Sequence, residues 1–468
     1  MTTTQTAAPV LEAVDAGLEA SLDRLRELLS IPSVSTDPAY AGDVRRAAEW
    51  CAGQLADIGF ESAVLDTTGH PIVYAEAGPA DAPTVLYYGH YDVQPPDPVE
   101  LWDSPPFEPQ IVDAEHGRRI VARGAVDDKG QLMTFVEAFR AWRRVHGEFP
   151  VRIKVMLEGE EESGSPSLEP FLEAERERLA ADACVVCDTG MWDVDTPAIT
   201  YMLRGLVYLQ VTLHGPSHDL HSGMYGGAVP NPNNVLARIL ARLHDESGRV
   251  QVPGFYDDVR ELSSEEKAAW DALGFDDVGF LAGAGIAADG GMGEAGRSVL
   301  ERVWSRPTCD VNGMWGGYTG RGAKTVIPAH ASAKISCRLV AEQDAQAIRQ
   351  SLEQFIRDLV PAGCRVEFEH FGCDDAIRVP TESRWLSAAA AGLEDVYGRK
   401  AALIGTGGSI PVVGMFQEIL GIDSLLVGFG LDDDRMHSPN EKFEVRCFHG
   451  GIRSHAAILA RFAEMTGG

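Results

Sequence analysis

Apolar residues recur at helical spacing from Leu18 to Leu29, and the pattern stops at Ile31-Pro32-Ser33-Val34-Ser35, where proline ends it. A second amphipathic stretch, Asp43 to Ile58, predicts another helix. Short strands are expected over Ser62 to Leu65 and Pro71 to Ala75, and a buried one over Thr84 to Tyr88. After the strand-like Ile120-Val121-Ala122 comes a turn, and Leu132, Phe135, Val136, Phe139 and Trp142 then mark one face of a helix starting close to Asp128. Val151, Ile153, Val155 and Leu157 alternate as a strand that runs into Glu158-Gly159-Glu160-Glu161-Glu162, while the apolar run Ala183 to Cys187 ends in Asp188.

Near Gly205 the character changes. Leu206 to Leu213 reads as a strand, Asn233 to Leu243 as a helix, Ala331 to Val340 as a strand, Ala345 to Val360 as a helix and Arg365 to His370 as a strand. A helix over Trp385 to Tyr397, a turn at Gly405 to Ile410 and a strand over Leu425 to Gly428 then return to the earlier pattern. This order predicts an α/β fold with a central mixed sheet flanked by helices, interrupted by an inserted α+β domain. The expected boundaries are 1–204, 205–378 and 379–468. The glycine-rich Gly279 to Gly293 is expected to be a loop within a long insertion from about Asp245 to Arg306.

Length and composition narrow the function classes. A chain of 468 residues with 45% hydrophobic and 24% charged residues is long enough for two or three domains and has the profile of a globular enzyme. Seventy acidic against forty basic residues give a formal charge of −30, which repels nucleic-acid phosphates and anionic membranes, so neither is an expected partner. The first residues carry no basic stretch followed by an apolar run, and no apolar stretch is long enough to span a bilayer, so the cytoplasm is the expected compartment. Cys184 and Cys187 form a CxxC spacing with no second pair nearby, and read as packed core thiols.

His90, Asp127, Glu161, Glu162, Asp188 and His437 all lie just beyond a predicted strand or in the loop that follows it, the edge of an α/β sheet where ligands bind. Taken singly each has a plain explanation: His90 as a polar loop residue, Glu160-Glu161-Glu162 as solvated surface, Asp127-Asp128 as a helix N-cap. Together, imidazole and carboxylate donors without thiolate suit zinc, with manganese or cobalt as alternatives, and one carboxylate can bridge two cations. Two divalent ions would leave such a site with excess positive charge that acidifies a bridging water, and one further carboxylate is then needed to carry the proton.

The segments Gly89-His90-Tyr91-Asp92, Arg123-Gly124-Ala125-Val126-Asp127-Asp128-Lys129-Gly130, Glu158-Gly159-Glu160-Glu161-Glu162-Ser163-Gly164-Ser165 and Cys187-Asp188 together resemble the carnosinase-like dinuclear metal dipeptidases. The cytosolic non-specific dipeptidases are of this kind, within a clan that includes aminoacylases and glutamate carboxypeptidases. The resemblance continues through Asp219-Leu220-His221-Ser222-Gly223, Gly322-Ala323-Lys324-Thr325, Gly407-Gly408-Ser409-Ile410-Pro411 and Met436-His437-Ser438-Pro439, so it covers nearly the whole chain.

The resemblance implies two metal ions per subunit, the first on His90, Asp127 and Asp188 and the second on Asp127, Glu162 and His437. Asp92 would orient His90, and Glu161 would be the general base for attack by a hydroxide bridging the metals. It further implies an inserted lid and dimerisation domain and a homodimer in which His221 acts across subunits on the oxyanion. Thr325, Arg338 and Ser409 would grip the carboxylate of a short peptide substrate. Arg338 could equally be a salt-bridge partner and Ser409 a helix cap. In the family, aspartate at the position of Asp188 is typical of dipeptidases, whereas aminoacylases and desuccinylases usually carry glutamate. An N-acyl-amino-acid deacylase or desuccinylase of the same clan is therefore the alternative, and a catalytically inactive binding or assembly subunit is the alternative of another class.

Overall fold

The computed structural model describes residues 6–408 and 410–465. The chain divides into two compact units, one of Met1–Tyr201, Val379–Ile404 and Val412–Gly468 and the other of Met202–Arg378 and Gly405–Pro411. In the first, four parallel strands form the middle of a large mixed sheet, in the order Arg152–Glu158, Thr84–His90, Ala183–Val186 and Ser424–Leu426. Ile72–Ala77 and then Glu61–Leu65 extend it antiparallel at one side, and Ala198–Leu203 follows antiparallel at the other. The middle strands read as unbroken apolar runs because both faces are covered: Val85, Leu86, Tyr87 and Tyr88 are all fully buried.

Helices supply that cover. Lys129–His146 starts at Asp128, ends in the left-handed Gly147 (φ 76°), and carries Arg143, Arg144 and His146 in its last turn, where cations favour the carbonyl end. It packs against Ala7–Leu29 and Val445–Glu464, and the last also packs on Arg384–Tyr397. Phe135, Phe139 and Trp142 enter the core from Lys129–His146 at the spacing read from the sequence. Helix Ala7–Leu29 is tied down by the buried Glu137, which accepts from Ser21 Oγ at 2.8 Å and Arg24 Nε at 2.7 Å.

A small three-stranded sheet, Gln110–Ala114, Gly117–Val121 and Lys442–Glu444, joins two segments distant in sequence. It sets the loop after Val121 beside Glu441. With four parallel strands in the middle, their carboxyl ends share one edge, and the loops leaving His90, Glu158, Val186 and Leu426 all emerge there.

The second unit is an antiparallel sheet in the order Thr308–Gly316, His330–Leu339, Gly205–His214 and Arg365–Asp374. Burial alternates cleanly along Gly205–His214, with Val207, Leu209, Val211 and Leu213 facing helices Pro232–Leu240 and Ala345–Leu359. Those helices are capped by Asn231 and Asp344. The segment between Asp245 and Arg306 is built rather than loose. Helix Ser264–Asp271 opens with a Ser263/Glu266 capping box, helix Asp277–Gly283 replaces part of the loop expected there, and the rings of Trp270 and Trp304 meet edge-on at 5.0 Å. The buried Glu294 accepts from Arg306 at 2.7 and 2.9 Å and from Arg249 at 2.8 Å.

Candidate metal centre

His90 is the last residue of its strand and is fully buried. Its backbone N–H donates to Asp128 Oδ2 at 3.0 Å, and its Nδ1 lies 3.2 Å from the Asp92 carbonyl and 3.3 Å from Asp92 Oδ1. That leaves Nε2 facing Asp127 Oδ1 at 3.1 Å. The other oxygen of Asp127 is 2.9 Å from His437 Nε2, so one carboxylate stands between two imidazoles. His437 comes from the loop after Leu426 with a left-handed backbone, φ 58°, and its Nε2 is also 3.4 Å from Glu162 Oε2. Glu162 is steadied by Gln94 Nε2 at 2.7 Å.

The buried Asp92 does more than orient His90. Its two oxygens accept the backbone N–H of Glu161 at 3.3 Å and of Glu162 at 3.0 Å, fastening the turn that carries both glutamates. Asp127 precedes the helix at Asp128 through a cis peptide bond. Its loop is held by Glu441, which accepts from the N–H groups of Gly124, Val126 and Asp127.

Ligand atoms fall into two groups, His90 with Asp127 and Asp188, and Asp127 with Glu162 and His437; within each they lie within 4.8 Å of one another. The electrostatics fit cations. Burial raises the Asp188 carboxyl well above its usual range, with His90 pulling down and Asp127, Glu161 and Glu162 repelling. Glu161 is pushed up to about 7 by burial, against the attraction of His90 and with repulsion from Glu162, Asp92 and Asp127. Asp127 is held below the usual range because hydrogen bonds from His437 and His90 outweigh its burial, and His437 is lifted to about 10 by Asp127 and Glu162. So many carboxylates against two imidazoles leave a deficit of positive charge that divalent ions would fill.

The remaining sequence-derived residues belong to the second unit. Exposed His221 ends a two-residue strand paired with Val326–Ile327, and its Nδ1 accepts from Gly223 N–H at 3.0 Å. A neutral ring accepting at Nδ1 carries its proton on Nε2, which makes that nitrogen a donor. Thr325 is beside it, its carbonyl accepting from Ser222 N–H at 3.0 Å. Half-buried Arg338 pairs across the sheet with Thr308, and among the described residues no carboxylate is paired with it. Ser409 lies outside the described residues. Its neighbour Gly408 accepts from Arg204 N–H at 3.2 Å, while the Arg204 guanidinium reaches the carbonyls of Val303 and Arg306 and Thr308 Oγ1, tying the insertion to that turn. Cys184 and Cys187 are buried, with thiols pushed up by burial, as core residues. Glu441 and Gln94 escaped the sequence reading; for Glu441 the only signal was its place four residues after His437 in a polar loop.

The family model for peptidase family M20/M25/M40 matches residues 86–461. The chain belongs to this family. Within it, the Cys-Gly metallodipeptidase dug1 of Schizosaccharomyces pombe is 31% identical, over 97% of this chain and 98% of that protein. Human carnosine dipeptidase 1 has a crystal structure that superposes with a TM-score of 0.80 at 28% identity, covering 98% of this chain and 99% of that one. The M20 family metallo-carboxypeptidase Sso-CP2 of Sulfolobus solfataricus gives 0.81 at 32% identity, over 95% and 99% of the two chains. The mixed α/β architecture is therefore that of the M20 peptidases.

Proposed function

We propose that this M20 protein hydrolyses the peptide bond of dipeptides and other short peptides. The observation that carries the reading is the pair of ligand groups sharing Asp127, with Glu161 beside them and outside both. Two divalent cations on these groups, zinc in our reading with manganese or cobalt as alternatives, would acidify a water and polarise the scissile carbonyl. Glu161 then takes the proton of the attacking water and passes it to the leaving amine, a task that its place beside the ligand groups and outside both allows. Asp92 keeps the His90 ring and the Glu161-Glu162 backbone in register.

His221 donates from Nε2 to the carbonyl oxygen as its charge grows, acting on the partner subunit of a homodimer. Arg338, Thr325 and Ser409 hold the terminal carboxylate of the substrate; an arginine that pairs with no carboxylate among the described residues suits that role. On this reading 205–378 is the lid and dimerisation domain, set between the two parts of the catalytic domain, 1–204 and 379–468. All eight cysteines are free thiols, as a reducing compartment keeps them, and we assign the activity to the cytoplasm.

The test is a panel of unblocked dipeptides, Cys-Gly and β-Ala-His among them, beside N-acetyl and N-succinyl amino acids, with metal-reconstituted protein. Turnover of the free dipeptides supports the reading. Turnover of the acylated substrates alone replaces it with a deacylase.

A further inference from the structure

Glu441 is fully buried, and both its oxygens are saturated by donors. Oε1 accepts from the N–H groups of Val126 at 2.9 Å and Asp127 at 3.1 Å; Oε2 accepts from Gly124 N–H at 2.9 Å and Arg123 Nη1 at 2.7 Å. Every partner donates, a set that matches the lone pairs of a carboxylate and works against the burial that pushes its carboxyl up. Arg123 is itself buried and fixed, donating from Nη2 to the Pro95 carbonyl at 3.2 Å and from its backbone to the Pro106 carbonyl at 2.9 Å.

The location gives this staple a consequence. Its donors include the backbone N–H of Asp127, the residue shared by both ligand groups, so Glu441 fixes the ligand's own peptide unit and not merely a nearby loop. Glu441 also lies four residues after His437 and immediately before the strand Lys442–Glu444, whose Lys442 pairs with Val121. The Glu441 carbonyl accepts from Ala122 N–H at 3.2 Å. One residue thus fastens the segment carrying Asp127 to the segment carrying His437, whose side chains meet at 2.9 Å.

We propose that Glu441 is the positioning residue of the dinuclear centre: it holds the Asp127 backbone so that the two carboxylate oxygens face His90 and His437 at once, and thereby sets the affinity for the second metal ion. The proposal rests on reading Asp127 as the shared ligand. Glu441→Gln is nearly isosteric, yet its amide NH2 must face a donor on one side or the other, so half the staple is lost.

The experiment titrates Zn2+, and separately Mn2+, into chelator-stripped wild type, Glu441→Gln and Asp127→Asn by calorimetry, with circular dichroism as the fold control. Wild type should bind two equivalents and Asp127→Asn fewer; wild type binding none removes the shared-ligand reading itself, independently of Glu441. Given two-site wild type, Glu441→Gln should keep its fold and bind one of the two ions about ten- to a hundred-fold more weakly, and raising free metal should restore its kcat. A purely structural staple predicts lowered thermal stability with unchanged metal affinity, and that result overturns the proposal. If Glu441→Gln does not fold, Glu441→Asp carries the test, keeping the charge but withdrawing it by one methylene: weakened binding is expected, and wild-type affinity overturns the proposal.

Discussion

Glu161→Gln preserves the size and shape of the side chain and abolishes its ability to carry a proton. The backbone of Glu161 is held through its N–H by Asp92 at 3.3 Å, and Glu162 next to it by the other Asp92 oxygen at 3.0 Å, so the turn does not depend on the Glu161 side chain. Its carboxylate is in neither ligand group, so metal content should stay at the wild-type level. A positioned general acid–base contributes about 10²- to 10⁴-fold, which at about 1.4 kcal/mol per tenfold is about 3–5 kcal/mol of barrier. We expect the upper part of that range, because the group serves twice, taking the proton from water and delivering it to the amine. The assay is steady-state hydrolysis of a dipeptide by metal-reconstituted wild type and variant, with metal content measured on the same samples. A fall confined to kcat is the expected result. A kcat within about tenfold of wild type at equal metal content refutes the assignment of the base, and a loss of metal would move Glu161 into the ligand set.

Arg338→Met should raise KM for dipeptides about 10- to 100-fold with kcat nearly unchanged, the signature of lost uniform binding worth about 1.5–3 kcal/mol; steady-state kinetics decide. Neither His221→Ala nor Glu161→Gln should be active alone, yet if His221 serves the partner's site, refolding equal amounts together should recover about one quarter of wild-type activity through hybrid dimers. No recovery, with hybrids shown to form, would place His221 in its own subunit's site, and an active His221→Ala would place it outside catalysis. Trp142→Ala, at a fully buried position of helix Lys129–His146, should cost about 3–5 kcal/mol of stability in denaturant unfolding.

Most of the centre was legible because its residues sit where strands end, and strand ends are marked by apolar runs breaking into His90, Glu158 and Asp188. The helix at Asp128 was legible because its large apolar residues, Leu132, Phe135, Val136, Phe139 and Trp142, recur at helical spacing, even though nearly every residue from Lys129 to Trp142 is buried. Val445–Glu464 was not, although Arg446, His449, Arg453, Arg461 and Glu464 mark a polar stripe along it: its buried face is broken by Gly450, Gly451, Ser454 and His455, residues that do not read as an apolar run. Strand Thr308–Gly316 escaped for a different reason. It is an exposed edge, interrupted by a bulge between Val311 and Gly313, and its alternation is erased. Asp92 and Glu441 illustrate a further limit. Their work is done through backbone N–H groups of distant segments, and such partners leave no pattern in sequence.

On the proposed reading, dipeptide hydrolysis runs on a two-ion centre assembled around Asp127. The most direct test is to follow cleavage of an unblocked dipeptide while titrating Zn2+ or Mn2+ into chelator-stripped enzyme. Without metal no turnover is expected, and activity should reach its maximum at two equivalents per chain, one for each ligand group. Undiminished hydrolysis after chelation, or full activity at a single equivalent, would contradict this reading.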